Sequence, residues 1–340
     1  MRHWSFETGF GYGNLVCREA EAPRPGPRDV LLEMRAAALN FRDLVVLRGQ
    51  HGRRVQPPLI PLSDGVGVVV ETGPGVTDLK PGDRVAPCFF QNWEGGPPPE
   101  DLEAGRLGGP LDGVLATHRV FPARGVLRVP DHLSDAEAAT LPCAGVTAWS
   151  ALCGARPVRP GETVLILGSG GVALMAILLA RAAGAETNVT TSSPERAAKI
   201  SALGADHVID RSAMPDWAAE ARRLTGGRGV DRVLELGGAA TLGQSIRATR
   251  TGGQIILIGN VTGNTAELFL PAILTRQLAL RAVTVGSKDQ FAALTRAIDR
   301  HMLRPVVATR HAFDAAPDAY RALEAGEAFG NLCIDIADRG

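Results

Sequence analysis

The sequence predicts an α/β chain of two domains, a small antiparallel β-barrel or sandwich followed by a doubly wound parallel sheet. Three observations carry this. From about Asp29 to Val129 the pattern is short, period-two and broken by Gly and Pro. After Leu133 strand-like and helix-like segments alternate for about 120 residues, as a parallel sheet with crossover helices requires. At the start of that alternation, Thr163-Val164-Leu165-Ile166-Leu167 runs into Gly168-Ser169-Gly170-Gly171-Val172-Ala173 and then into an Ala- and Leu-rich segment ending at Gly184. A chain of 340 residues is long enough for two domains, each burying its own core.

In the first region, Val30–Met34, Gly67–Glu71 and Asp83–Ala86 read as strands, separated by turns such as Gly73-Pro74-Gly75 and Lys80-Pro81-Gly82-Asp83. The stretch from Gln91 to Asp112 is rich in Gly, Pro and acidic residues and reads as a functional surface loop, with Trp93 near the mouth of a pocket. In the second region, strands are expected at Val164–Leu167, Thr187–Thr191, His207–Asp210, Val230–Leu236, Ile255–Gly259 and Leu278–Val285. Helices are expected to start at Gly171, Pro194, Asp216 and Ala239. A helix over Lys288–His301 and a strand over Leu332–Ile336 follow. Because a nucleotide-binding sheet needs no such tail, it is expected to return to the first domain. The division expected is 1–126, 127–286 and a C-terminal segment 287–340.

The glycine turn is the first chemical signal. Gly168 permits the tight turn, Gly170 lets backbone N–H groups approach a pyrophosphate, and Ala173 allows close helix–strand packing; Ser169, Gly171 and Val172 complete the cradle at the positive end of the helix. The second signal is which cofactor it holds. An NAD site places Asp or Glu at the C-terminal end of the second strand, roughly 20 residues beyond the turn. Here that end reads Thr190-Thr191-Ser192-Ser193, and Glu186 precedes the strand. With no carboxylate to repel it, a 2′-phosphate can accept hydrogen bonds from Ser192 and Ser193 and meet Arg196 or Lys199, so NADP(H) is expected. Ser193 also suits a helix cap with Pro194 in the first turn, and the two roles are compatible. The ends of later strands, at Gly237 and Gly259-Asn260, are further cofactor candidates.

Composition narrows the partners. The 36 basic and 36 acidic residues balance, so no long-range field points to nucleic acid or an anionic membrane. The N-terminus lacks an apolar leader, and the longest apolar run, Val172 to Ala183, is too short and interrupted to span a bilayer, so a cytoplasmic chain is expected. Five cysteines without a CxxC pair read as reduced thiols.

Several motifs stand in one order: Leu39-Asn40-Phe41-Arg42-Asp43-Leu44, Asp64-Gly65-Val66-Gly67, Lys80-Pro81-Gly82-Asp83-Arg84-Val85, Ala144-Gly145-Val146-Thr147-Ala148-Trp149 and Leu203-Gly204-Ala205-Asp206. In this the chain resembles the medium-chain dehydrogenase/reductase superfamily over nearly its whole length. It is similar above all to the zinc-independent quinone-oxidoreductase-like and enoyl-reductase-like branch, through Pro61-Leu62-Ser63-Asp64-Gly65 and Phe89-Phe90-Gln91-Asn92-Trp93. The resemblance implies a GroES-like catalytic domain and a Rossmann domain. It places Thr147 beside the nicotinamide and the backbone of Val283–Val285 against the carboxamide. It also makes Asn331, which follows Gly330 where relatives often carry Lys, a candidate cofactor contact.

Zinc-dependent relatives have Cys, His with an adjacent Glu, and a second Cys at the positions that look like Asn40, Ser63 with Asp64, and Cys143. One thiol with an amide and a hydroxyl cannot form the N/S shell of a catalytic zinc, so no metal is expected. Without a metal, substrate must be polarised by hydrogen bonds, and Asn40 is the best donor candidate, toward nicotinamide ribose or substrate. His51 stands where many relatives carry Tyr, and it titrates near neutral pH, which makes it a candidate proton donor. The function expected is NADPH-dependent hydride transfer to an activated C=C bond or a quinone. The alternatives are an NADP-dependent alcohol dehydrogenase and a cofactor-binding member without turnover, the latter favoured by the polar second strand, Ala185-Glu186-Thr187-Asn188-Val189. The partner expected is a small-molecule substrate. An apolar edge strand at Leu278–Val285 suggests a homodimer.

Overall fold

The computed structural model describes residues 1–337 and divides into two compact units, one of Met1–Val146 with the chain from Val285 onward, the other of Thr147–Thr284. In chain order the strands and helices are β1 (Arg2–Phe6), β2 (Leu15–Glu19), β3 (Asp29–Leu39), α1 (Phe41–Leu47), β4 (Asp64–Thr72), β5 (Arg84–Pro87), β6 (His118–Pro122), β7 (Val126–Arg128) and α2 (Asp135–Ala139). A π-helical turn over Leu141–Gly145 leads into α3 (Val146–Cys153). The alternating region follows as β8 (Thr163–Leu167), α4 (Gly171–Ala182), β9 (Glu186–Thr191), α5 (Pro194–Ala202), β10 (His207–Asp210), α6 (Trp217–Leu224), β11 (Val230–Glu235), α7 (Ala239–Ala248), β12 (Thr249–Leu257), α8 (Leu270–Leu274) and β13 (Ala279–Ala282). The chain closes with α9 (Lys288–His301), β14 (Val307–Ala312), α10 (Ala316–Ala325) and β15 (Asn331–Asp335).

The first unit is organised around β3. Its first half pairs with β6 and its second half with β15, while β4 runs along its other edge throughout. Two bulges, at Leu31/Leu32 and Met34/Ala36, bend the strand between these partners. The strand read from the sequence, Val30–Met34, is longer in the structure and takes in Arg35-Ala36-Ala37-Ala38, residues of high helix propensity. Pairing on both edges overrides that propensity, and the small Ala side chains fit the crowded sheet. The tail joins this unit through β15, and β14 lies parallel beside it. The boundary with the second unit falls after Val146 rather than after residue 126, because β7 pairs with β5 and α2 packs on β3 and β4.

The loop expected to be polar surface is only half so. Leu107 joins the core and Gly108 and Gly109 are buried. Gln91 N–H donates to Gly105 O at 2.8 Å, and Ile60 N–H to Asp112 Oδ1 at 2.9 Å. Composition missed this because the anchoring is by backbone and by one Leu.

The second unit is a six-stranded, wholly parallel sheet in the order β10-β9-β8-β11-β12-β13. The chain winds outward from β8 to β10, then restarts at β11 on the other side of β8. The topological switch point, where such sheets bind ligands, therefore lies at the C-terminal ends of β8 and β11. The expected last strand, Leu278–Val285, is shorter, since positive φ at Gln277 and Val285 (+51° and +52°) brackets β13. The polar second strand is buried: Thr187 Oγ1 bonds Asp206 Oδ2 at 2.9 Å, whereas both amide atoms of Asn188 lack partners. No helix among the described residues is long and apolar enough to cross a membrane.

Candidate active site

In the second unit, β8 is buried along its whole length and delivers the chain to Gly168, whose φ of +85° suits glycine. A Cβ added at Gly168 or Gly170 would meet no atom within 4 Å, so open space lies over the turn. The helix α4 begins there without a side-chain cap. Its neighbours differ: Ser193 Oγ accepts from Arg196 N–H at 3.3 Å on α5, and Asp216 Oδ1 from Ala219 N–H at 3.2 Å on α6. The first-turn N–H groups of α4, from Gly171 and Val172 on, thus face the open space with the positive end of the helix dipole behind them, a ready site for a diphosphate. Ser169 is buried in the turn.

At the end of β9 no carboxylate is present, and Glu186 stands at the opposite end, 3.2 Å from His207 Nε2. Ser192 is exposed, Ser193 is committed to its cap, and Lys199 Nζ bonds Glu195 Oε1 at 2.6 Å. Arg196 lies in the first turn of α5. The sequence reading missed Arg211. Its N–H donates to Thr191 O at 2.7 Å, which sets it beside Ser192, and its Nε is buried without a hydrogen-bond partner. The residue follows β10, and only the register Asp210↔Thr191 brings that strand's end next to β9.

The strand ends at Gly237 and Gly259 are more tightly built than expected. Gly237 N–H donates to Glu235 Oε1 at 2.8 Å, and its carbonyl accepts from Thr262 N–H and Oγ1 at 2.8 and 2.9 Å, so its backbone is spent within the protein. Asn260 is exposed, with Nδ2 on Asn264 Oδ1 at 2.6 Å. Thr147 is buried at the start of α3, and Val283 N–H donates to Leu257 O at 2.9 Å.

In the first unit, Asn40, Ser63, Asp64 and Cys143, far apart in sequence, converge. Asp64 is fully buried; its Oδ1 accepts from Ser63 Oγ at 2.8 Å and its Oδ2 from Cys143 N–H at 2.9 Å. Burial pushes its pKa up to about 7, against the Ser63 hydrogen bond and the nearby Asn40 amide. Although the Asn40 amide favours the charged form of Asp64, its Nδ2 is buried without a partner of proper hydrogen-bond geometry. Nδ2 is thus a donor beside Asp64 that makes no well-formed hydrogen bond. Its backbone is fixed by Asp43, whose Oδ2 accepts the Asn40 N–H at 2.8 Å while Oδ1 takes Arg42 Nη1 at 2.9 Å. Arg42 also reaches Gly108 O at 2.9 Å, which ties the half-buried loop to this cluster. Among the described residues no three His, Cys, Asp or Glu gather so as to hold a metal ion.

His51 packs edge-on against Phe10, with ring centroids 4.5 Å apart. Burial lowers its pKa, so the ring is neutral at neutral pH; Nδ1 lies 3.1 Å from Gly52 O and Nε2 has no partner. An Nδ1–H donating to that carbonyl leaves the lone pair on Nε2. Val285 is buried at positive φ. Asn331 is buried at the start of β15, and its Nδ2 donates to Val306 O at 3.2 Å.

Comparison with known proteins gives the family. Residues 26–131 match the model of the alcohol dehydrogenase GroES-like domain, and residues 171–300 that of the zinc-binding dehydrogenase family. A zinc-type alcohol dehydrogenase-like protein of Schizosaccharomyces pombe is 39% identical over 91% of this chain and 92% of its own. The structure of an NAD-dependent alcohol dehydrogenase superposes with a TM-score of 0.91 at 32% identity, covering 99% of this chain and 100% of that one. A mycobacterial protein solved as a complex with NADPH gives 0.82 at 26% identity over 99% and 100%.

Proposed function

Since the chain belongs to the medium-chain dehydrogenase/reductase superfamily of oxidoreductases, we propose that it is a zinc-independent, NADP(H)-dependent member that reduces an activated C=C bond, as in an enone or enoyl compound, or a quinone. The observation that carries this is the cluster at Asn40. Where a metal shell would stand there is an uncommitted amide donor beside a carboxylate whose oxygens are already spent on Ser63 and Cys143. Two O/S groups do not make a zinc site, whereas a neutral N–H donor suits an enolate or phenolate oxygen.

When bound, the cofactor supplies the hydride. The turn Gly168–Val172 would hold its diphosphate, and Arg211, with Ser192, Arg196 and Lys199, would hold the 2′-phosphate; a buried guanidinium edge without a partner gains most from such an anion. The exposed Lys199–Glu195 pair is weak and readily exchanged for a phosphate. Asn40 Nδ2 donates to the oxygen that gains charge. In the reductive direction Nε2 of His51 takes a proton from water and passes it to the reduced substrate; in the oxidative direction it accepts the proton the substrate loses. We place a homodimer contact at the β13 edge, where Phe269, Leu270 and Leu274 of the same unit are exposed.

The alcohol dehydrogenase names of two relatives favour carbonyl reduction as the second reading. Fluorescence titration with NADPH and NADH, followed by a panel of enones, quinones and aldehydes with and without a chelator, separates the two. Tighter NADH binding refutes the phosphate site, and chelator-sensitive aldehyde turnover refutes the metal-free reading. Arg211→Ala is expected to weaken NADPH binding roughly tenfold and leave NADH unchanged. A monomer by light scattering removes the dimer.

A further inference from the structure

Glu235 ends β11 as a wholly buried carboxylate, and four donors converge on it. Oε1 accepts from Gly237 N–H at 2.8 Å, Gly238 N–H at 2.9 Å and Thr241 Oγ1 at 2.5 Å; Oε2 accepts from Ser245 Oγ at 2.5 Å. Its backbone carbonyl takes Ile258 N–H and Gly259 N–H at 2.9 and 3.1 Å. One residue thereby ties together the loop after β11, the first two turns of α7 and the loop after β12. The approach is close enough to require glycine: a Cβ on Gly237 would fall 2.4 Å from Thr241 Oγ1, and one on Gly259 would fall 2.1 Å from Leu236 O.

The ten-residue α7 has Gly238 as its N-cap, with no capping side chain of its own. The Glu235 carboxylate fills that place, so the anion-binding end of α7 is occupied from within. With Ser193 on α5 and Asp216 on α6, this leaves α4 as the uncapped helix of the four beside β8 to β11. A buried carboxylate is costly to keep, and an apolar residue of equal volume would pack β11 as well or better. What the charge adds is orientation of four donors at the switch point of the sheet.

We infer that Glu235 is a positioning residue that closes the anion site of α7 and holds the Gly237-Gly238 and Gly259-Asn260 loops in place for a dinucleotide whose diphosphate is thereby confined to α4. This rests on the nucleotide reading above. The test pairs two readouts on the full chain: amide hydrogen exchange over residues 236–241 and 258–263 without nucleotide, and the Kd for NADPH. Glu235→Ala is expected to speed exchange at both loops, leave the Gly171–Ala173 turn unchanged, and raise Kd roughly tenfold, the loss of about one charge-assisted hydrogen bond. Glu235→Gln keeps an acceptor for both glycine N–H groups and a donor for Ser245, and is expected to keep loop protection with Kd within about threefold. Wild-type protection in E235A overturns the positioning role; fast loop exchange with unchanged Kd overturns its link to the cofactor. If E235A does not fold, Ser245→Ala removes the Oε2 partner alone and is expected to loosen the 236–241 segment, and wild-type exchange there overturns the inference. A wild-type chain that binds neither nucleotide defeats the functional reading, while the exchange measurement still decides the structural one.

Discussion

Replacing Asp64 by Asn is expected to remove most of the pH dependence that this carboxylate imposes on the first unit. Asp64 is fully buried, and desolvation raises its pKa from 3.8 to about 7, with Asp43 adding repulsion and Ser63, Asn40 and the Cys143 N–H opposing. A folded pKa above the unfolded one means that the folded chain binds the proton more tightly. The contribution is therefore fully stabilising below the unfolded pKa of 3.8, declines as pH rises, and is lost above about 7. A difference of about three pKa units is worth about 4 kcal/mol, of which about 2.6 kcal/mol falls between about pH 5 and about pH 8. Asn mimics the protonated form and keeps an oxygen for the Cys143 N–H. Urea unfolding of both proteins at the two pH values gives the difference between them, in which other titrating groups cancel. We expect D64N to gain about 2–3 kcal/mol on wild type over that interval. A difference that does not change with pH would refute the burial argument.

Arg232 is buried in β11 and donates to the carbonyls of Ala151, Leu152 and Arg156 at 2.9, 2.7 and 2.6 Å, closing the C-terminal end of α3 and the turn beyond it. Arg232→Met is expected to cost about 3 kcal/mol by urea midpoint, and an unchanged midpoint would show those carbonyls to be satisfied otherwise. Asn188→Val removes two unpaired buried polar atoms from β9 and is expected to stabilise by about 1–2 kcal/mol, with a raised Tm as the readout and a lowered one as the refutation. Asn40→Ala is expected to lower kcat about a hundredfold, as loss of a single oxyanion donor does, with circular dichroism unchanged; normal turnover would remove Asn40 from the reaction.

Much of the fold was readable because it rests on local pattern. The alternation after β8, the glycine turn, the cap at Ser193 and the helix start at Asp216 depend on neighbours a few residues apart. What the reading lost depends on pairing between distant segments. The second half of β3 is a run of Ala that becomes strand because β15 and β4 flank it. Leu107 and its glycines are buried because the loop folds back on Phe89 and Leu62. Arg211 and Glu235 escaped notice for the same reason, since an Arg after one strand and a Glu at the end of another are unremarkable until register sets them beside Thr191 and Gly237.

By itself the sequence determined the two-domain α/β plan, the glycine turn at Gly168, the residues without an acid at the end of β9, and the Asn, Ser and Cys at positions 40, 63 and 143. These follow from residue type and short-range spacing. The tertiary structure decided which polar groups are spent and which are left over: Gly237 and Asn331 committed, Asn40 Nδ2 and Arg211 Nε uncommitted, Asp64 raised by burial, α4 open and α7 closed by Glu235. Hydrogen bonding and desolvation depend on what packs around a group in space, and sequence order does not carry that information.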